Sequence, residues 1–315
     1  MRMAHMLMPL LVVVMPLQSV AAAADTPPLV VPLHVEHGPN GDPRLGIDVG
    51  IGSRTVRVLF DTGSAGLRVL ASAVNDPSVR RGGPVRGGGF YGSGLTLRGD
   101  EATAPLSLGG GAPQQTSFEL VDGFGCAEMI PNCPGANGRT PEMFGTLFPG
   151  IFGASMTDPP RGRCCANPIE ALPAYGKRFI VHAAFSGPSV TLGPDPAALA
   201  GFTMIDVARG VLPRGCVRVS SAAGEVCGDV LFDTGTPQIV VSSPGVVAQG
   251  PQPAGTTATL TVGAWSHAFA PAPEAPLRVA MRRGQMNRIV VGLAALQSVD
   301  LYFDLAAGRI GLRAL

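Results

Sequence analysis

The chain has 315 residues, of which 46% are hydrophobic and 14% charged, with 23 basic against 22 acidic side chains. That length holds two units of ordinary domain size, and the aliphatic, glycine- and proline-rich composition reads as globular and strand-rich. A net charge of +1, with basic residues nearly all Arg and scattered, lacks the basic stripe of a nucleic-acid binder, so no nucleic-acid partner is expected.

From the N-terminus, Arg2 and His5 precede an apolar stretch from Met6 to Val20, followed by Ala21-Ala22-Ala23-Ala24 and then Asp25. Residues 1–24 therefore read as a signal peptide, too short and too broken by Pro9 and Pro16 to span a membrane. No later segment is apolar enough to cross a bilayer, so the expectation is a secreted or periplasmic protein with no membrane association after signal removal. Short β-favouring runs then recur between Gly, Pro and Asp punctuation: Leu29 to His34, Leu45 to Ile51, Thr55 to Phe60, Leu95 to Leu97, Phe179 to Ala184 and Ser189 to Leu192. They are too frequent for βαβ units, which makes the fold class all-β. Helical signal is confined to short stretches at Ile169 to Ala174, Pro196 to Leu199 and Gly292 to Gln297. Arg81 to Gly89 and Gln249 to Thr256 read as surface loops, and the boundary between halves is expected near Ser186 to Pro194.

Export makes the six cysteines legible as disulfide formers. Cys216 and Cys227 flank the turn-like Ser221-Ala222-Ala223-Gly224 and are placed to face each other across a hairpin. Cys126, Cys133, Cys164 and Cys165 allow three pairings. A link between the two loops is favoured over a bond between the neighbours Cys164 and Cys165. Neither spacing matches a zinc knuckle and no histidine pair accompanies them, so no metal and no cofactor are expected.

The most informative feature is a duplication. Val58-Leu59-Phe60-Asp61-Thr62-Gly63 recurs as Val230-Leu231-Phe232-Asp233-Thr234-Gly235, followed by the hydroxyl residues Ser64 and Thr236. Each copy is an apolar strand that delivers a carboxylate to a glycine turn. A lone Asp-Thr-Gly is ordinary turn chemistry. The copies stay in step beyond the hexapeptide, where Leu67, Val69 and Ala71 answer Ile239, Val241 and Ser243 at strand periodicity. Two carboxylates in matched settings point to one shared site.

With these motifs in their order, the chain resembles the pepsin family of aspartic peptidases over essentially all of its mature length. The resemblance runs from Phe60-Asp61-Thr62-Gly63-Ser64 through Tyr91-Gly92-Ser93-Gly94, similar to the family's flap, to Gly150-Ile151-Phe152-Gly153. It continues with Phe179 to Gly193, Asp233-Thr234-Gly235-Thr236, Val290-Val291-Gly292 and Val299 to Leu312. It implies a bilobal fold of two β-barrel-like lobes with a central cleft, an N-terminal lobe over residues 25–187 and a C-terminal lobe over 188–315. Each lobe would contribute one catalytic aspartate, Asp61 or Asp233, to a dyad that activates water. Thr62 and Thr234 match positions whose hydroxyls cross to the opposite loop, Gly63 and Gly235 match amide donors, and Ser64 and Thr236 match positions that bond the outer carboxylate oxygens. Tyr91, Gly92 and Ser93 would close over an extended polypeptide substrate. The implied activity is endopeptidase cleavage at apolar-flanked sites with a mildly acidic optimum, by a monomer.

Several residues depart from the family pattern. Arg68 stands where the family has a tryptophan near the flap tyrosine, the interval from Asp61 to Tyr91 is short, and Asp25 leaves no room for a basic inhibitory propeptide before the first strand. The alternative function is a catalytically silent binding protein on the same fold, against which two intact aspartates argue. Asp233-Thr234-Gly235-Thr236 superficially resembles the phosphorylated aspartate of ion pumps, but the lysine and nucleotide domain that chemistry needs are missing from the motif. His34, His37, His182 and His267 show no triad or metal spacing, and Asp304 and Trp265 read as structural.

Overall fold

The computed structural model describes residues 26–85, 91–142, 144–157, 164–208, 210–247, 249–271 and 276–315. The signal-peptide segment lies outside them, as does part of the expected Arg81 to Gly89 loop. The described chain is all-β, with half of it in strands. Its strands, in chain order, are β1 (Leu29–His37), β2 (Pro43–Ile51), β3 (Arg54–Asp61), β4 (Ala65–Leu70), β5 (Arg80–Pro84), β6 (Leu95–Leu108) and β7 (Gln114–Cys126). They continue with β8 (Gly150–Ala154), β9 (Arg178–His182), β10 (Ser189–Leu192), β11 (Thr203–Asp206), β12 (Arg214–Val219), β13 (Val226–Asp233) and β14 (Ile239–Ser243). The last are β15 (Gly250–Pro251), β16 (Ala258–Val262), β17 (Trp265–Phe269), β18 (Val279–Arg283), β19 (Arg288–Gly292), β20 (Val299–Asp304) and β21 (Arg309–Ala314). One short helix, α1 (Leu293–Leu296), follows β19, and 3-10 turns occupy Pro168–Ala171 and Pro196–Leu199, where the sequence carries its sparse helical signal.

Two sheets form. The larger runs β11-β21-β20-β9-β10-β1-β2-β3-β8-β4-β7-β6-β5, and the smaller runs β15-β18-β14-β19-β13-β12-β16-β17. The larger sheet takes strands from both ends of the chain, since β20 and β21 join β9, and β10 pairs with β1.

The sequence duplication is also a topological one. In the first half β3 runs parallel to β8, β8 antiparallel to β4, and β4 parallel to β7. In the second, β13 runs parallel to β19, β19 antiparallel to β14, and β14 parallel to β18. The side chains from Val58 to Phe60 and from Val230 to Phe232 are all buried, core side and cleft side alike, which is why both hexapeptides read as continuous apolar runs. Phe60 and Phe232 lie in the main core, Phe60 stacked on Phe152 with centroids 6.0 Å apart. Leu59 and Ile151, one residue along, turn to the opposite face and join Leu95, Val121, Phe124, Phe144 and Phe148 in a separate apolar cluster. In this register Asp61 pairs with Gly153 and Asp233 with Gly292.

Cys216 and Cys227 face each other across the β12–β13 hairpin and are bonded, with Cα atoms 3.9 Å apart. The expected link between the other two cysteine loops does not form. The chain turns back directly after β7 and brings Cys133 to Cys126, Cα to Cα 5.5 Å, while Cys164 pairs with Cys165. A second correction concerns Arg81 to Pro84, expected as loop. They belong to β5, an exposed edge strand on β6, and being exposed throughout it carries no apolar alternation to betray it. Among the described residues no helix is long and apolar enough to cross a membrane.

Phe60 is fully buried one residue before Asp61, at the end of the strand that carries it. Phe60→Ala is expected to lower the unfolding free energy by about 3–5 kcal/mol, read by chemical denaturation.

Candidate active site

Both hexapeptides end at the floor of a cleft of about 1000 Å³ lined from the two sheets. Asp61 and Asp233 meet there, close enough to hydrogen-bond each other. Asp61 is buried, whereas Asp233 retains partial solvent contact. The Gly63 amide donates to Asp61 Oδ1 at 2.7 Å and the Ser64 hydroxyl to Oδ2 at 2.6 Å. Across the pair, the Gly235 amide donates to Asp233 Oδ1 at 2.8 Å and the Thr236 hydroxyl to Oδ2 at 2.7 Å. The Thr236 amide adds a bond to Asp233 Oδ1 at 3.1 Å, without a counterpart at Asp61 among the described contacts.

The glycines are required by space as well as by their amides. A Cβ at Gly63 would stand 2.5 Å from Asp233 Oδ1, and one at Gly235 would stand 2.7 Å from Asp61 Oδ1. Each turn passes against the opposite carboxylate, and only glycine leaves that contact open.

The two threonines lock the turns together. Thr62 Oγ1 donates to the Phe232 carbonyl at 2.8 Å and accepts from the Thr234 amide at 3.1 Å. Thr234 Oγ1 donates to the Phe60 carbonyl at 2.7 Å and accepts from the Thr62 amide at 3.1 Å. Both are buried, and every bond in the set joins the two sheets. The three residue pairs singled out in the sequence around the aspartates are thus all brought together.

Burial and the neighbouring Asp61 carboxyl raise the Asp233 carboxyl above the usual carboxylate range, because removal from water and a nearby like charge both favour the neutral form. The resulting titration belongs to the pair.

Tyr91, Gly92 and Ser93 line the same cleft. Tyr91 starts a tight turn, its amide donating to the Leu95 carbonyl at 3.0 Å and its carbonyl accepting from the Gly94 amide at 2.7 Å. Its ring packs on the Leu59–Phe144–Ile151 cluster. The phenol oxygen is buried without a well-formed hydrogen bond, and burial pushes the phenol up to about 12, although the Arg68 guanidinium stands near enough to act the other way. Arg68 pairs with Glu119, Nε to Oε2 3.2 Å, and donates to the Ala65 carbonyl at 2.6 Å. Burial raises the Glu119 carboxyl, opposed by the Arg68 charge.

Several cleft residues are not evident from the sequence: Arg44, Glu119, Gln238, Ser242, Arg282 and Arg288. Arg44 is buried, and burial lowers its guanidinium, with Asp42 and Asp233 acting to raise it. The histidines stand elsewhere. His182 bonds Asp300 at 2.7 Å, and His267 lies between the rings of Trp265 and Phe269. No protein-family model and no curated protein matches this chain.

The threonine lattice and the dyad each generate a prediction. Thr62→Val removes a donor from the Phe232 carbonyl and an acceptor from the Thr234 amide, costing about 1–3 kcal/mol in denaturant unfolding. Combined with Thr234→Val, the loss should be non-additive by about 0.5–3 kcal/mol, since one lattice is broken twice. For Asp233, the native pair holds a proton that the unfolded chain has released above pH ~3.9. Native-state proton binding then exceeds that of the unfolded state, so stability falls as pH rises through the window between that value and the raised native pKa. Asp233→Asn removes this slope. The stability difference, variant minus wild type, should become more positive by up to about 1.4 kcal/mol per pH unit across the window, measured by melting from pH 3 to 8.

Proposed function

We propose that this chain is an exported aspartic endopeptidase with a pepsin-like bilobal fold, its cleft accepting an extended polypeptide. The observation that carries the reading is the reciprocal frame around Asp61 and Asp233: each carboxylate held by the glycine amide and hydroxyl that follow it, with two threonines tying the turns together at the floor of an open cleft. The cysteine pairs support export, because disulfides persist outside a reducing cytosol.

The chemistry follows from two carboxyls that share one proton. A water between them is polarised by both. The ionised carboxyl takes a proton from the water as its oxygen attacks the scissile carbonyl carbon, and the protonated carboxyl gives its proton to the carbonyl oxygen as charge develops there. The tetrahedral diol then collapses. The carbon–nitrogen bond breaks, the leaving amine takes the proton held by one carboxyl, a diol hydroxyl returns its proton to the other, and the carboxylic acid product departs with the dyad restored to its starting protonation. The Tyr91 turn would close over the peptide and exclude bulk water. The apolar patch of Leu59, Phe144 and Ile151 fits a large apolar side chain beside the cleaved bond.

Hydrolysis of casein or an unfolded protein between pH 3 and 6 tests the reading. Rates should hold while the pair keeps its shared proton and fall only above this range, once pH passes the raised Asp233 titration, and Asp61→Asn should cut kcat/KM by about 10²–10⁴. Activity that survives Asp61→Asn would overturn the dyad mechanism, tight binding of a statine-type transition-state mimic would count against a silent binding protein, and no hydrolysis together with no binding of the mimic would favour it.

A further inference from the structure

The second sheet carries a row of polar side chains that the dyad chemistry leaves unused. Strand pairing aligns Arg214 with Asp229, Asp229 with Arg288, Arg288 with Ser242, and Ser242 with Arg282, one residue on each of β12, β13, β19, β14 and β18. Partners in register share a sheet face. That face is the one turned to the cleft. Two residues along the same strands, the same side chirality brings up Leu231, Val290 and Val240, which line the cleft together with Arg288, Ser242 and Arg282, and Asp233 follows two beyond Leu231.

The row is electrostatically unbalanced. It holds three guanidinium groups against one carboxylate, and that carboxylate, Asp229, is bonded to Arg214 at 3.1 Å. Arg282 and Arg288 are exposed and have no ion-pair partner among the described residues. They flank Ser242 from its two neighbouring strands, so their Cα atoms are about 10 Å apart at the usual strand spacing. Two long side chains from either flank can converge on one carboxylate above a small hydroxyl residue, and a guanidinium is suited to grip it by two bonds.

We propose that Arg282, Ser242 and Arg288 form an anionic-residue subsite, which makes this a peptidase selective for chains bearing Asp or Glu on the second-sheet side of the cleaved bond, outward of the residue that fills the Leu231–Val240–Val290 patch. The inference rests on the peptidase reading and adds its substrate class. The apolar patch and the arginine row stand two residues apart along the strands, about 7 Å, which is the step between side chains on one face of an extended peptide. Selectivity depends on the substrate's own ionisation: a glutamyl side chain is neutral at pH 3 and charged at pH 6, whereas the arginines stay charged throughout.

Paired peptides identical except for Glu or Gln, moved through the positions on that side, would be compared by kcat/KM from pH 3 to 6. The Glu/Gln ratio should rise from near one at pH 3 to about five at pH 6 at one position, fall toward one with added salt, and stay near one at every pH in Arg282→Gln/Arg288→Gln. A ratio that stays near one in the wild type, or one unchanged in the double variant, would overturn the subsite while hydrolysis itself left the peptidase reading intact. The salt and pH arms use wild-type protein and hold even if the double variant fails to fold. Binding of the same peptides to Asp61→Asn, by fluorescence anisotropy, separates the two ideas further. Preference for Glu in binding with no hydrolysis by wild type would retain the subsite and overturn the peptidase reading.

Discussion

Two carboxyl groups held together away from water repel, and at an effective dielectric near 20 a pair of unit charges about 4 Å apart costs about 4 kcal/mol. A surface loop would relax by letting them part. Here the loops cannot part, because Thr62 and Thr234 each give a hydroxyl bond to the carbonyl just before the opposite aspartate and take one from the opposite threonine's amide. The pair therefore responds by protonation instead of movement, and the raised Asp233 carboxyl, pushed up by burial first and by the Asp61 charge second, is the consequence. Much of the fold serves that restraint. Each aspartate ends a strand paired in parallel with a buried neighbour, and that neighbour's last glycine lies directly opposite. The following backbone amide then reaches back to the turn: Ser155 donates to the Ser64 carbonyl at 2.9 Å, and Leu293 to the Thr236 carbonyl at 2.7 Å.

The two halves are alike where they hold the aspartates and unlike where they face the rest of the cleft. On the first side Tyr91 packs on an apolar cluster beside the Arg68–Glu119 pair. On the second, apolar Leu231, Val240 and Val290 give way to an arginine row. In the proposed peptidase reaction two carboxyls would exchange roles around one proton, which a symmetric frame suits, whereas a peptide chain would have direction, and reading it would need different walls.

The frame was legible in the chain because its residues are contiguous. The hexapeptides, Thr62, Thr234 and the hydroxyl residues Ser64 and Thr236 act within three positions of their aspartates, and repetition marks them out. The β12–β13 hairpin and its Cys216–Cys227 bond were legible for the same reason, a short span closed by a turn. What escaped depends on register between distant strands. Ser242 meets Arg282 and Arg288 only once β14, β18 and β19 are aligned, and Arg68 meets Glu119 only through the parallel pairing of β4 with β7. The β5 edge strand escaped because exposed Arg, Gly and Pro carry no alternation, and the pairing of Cys126 with Cys133 because it depends on how the chain turns after β7.

Arg68 shows how one charged side chain can organise a wall of the cleft. A guanidinium and a carboxylate taken from water together gain little stability over an apolar pair of the same volume, because desolvation offsets their attraction. Stability alone therefore gives no reason for a charged pair at this position. What the pair supplies is direction. Arg68 is bonded at once to the Ala65 carbonyl, just beyond the Asp61 turn, and to Glu119 on the neighbouring strand, and its charge lies against the buried Tyr91 hydroxyl. An apolar side chain would fill the space but would leave that hydroxyl facing the Asp61 and Glu119 charges without the guanidinium that opposes them. The guanidinium thus links three elements around one wall of the cleft, the turn after Asp61, the strand behind it and the tyrosine turn above, with a single side chain.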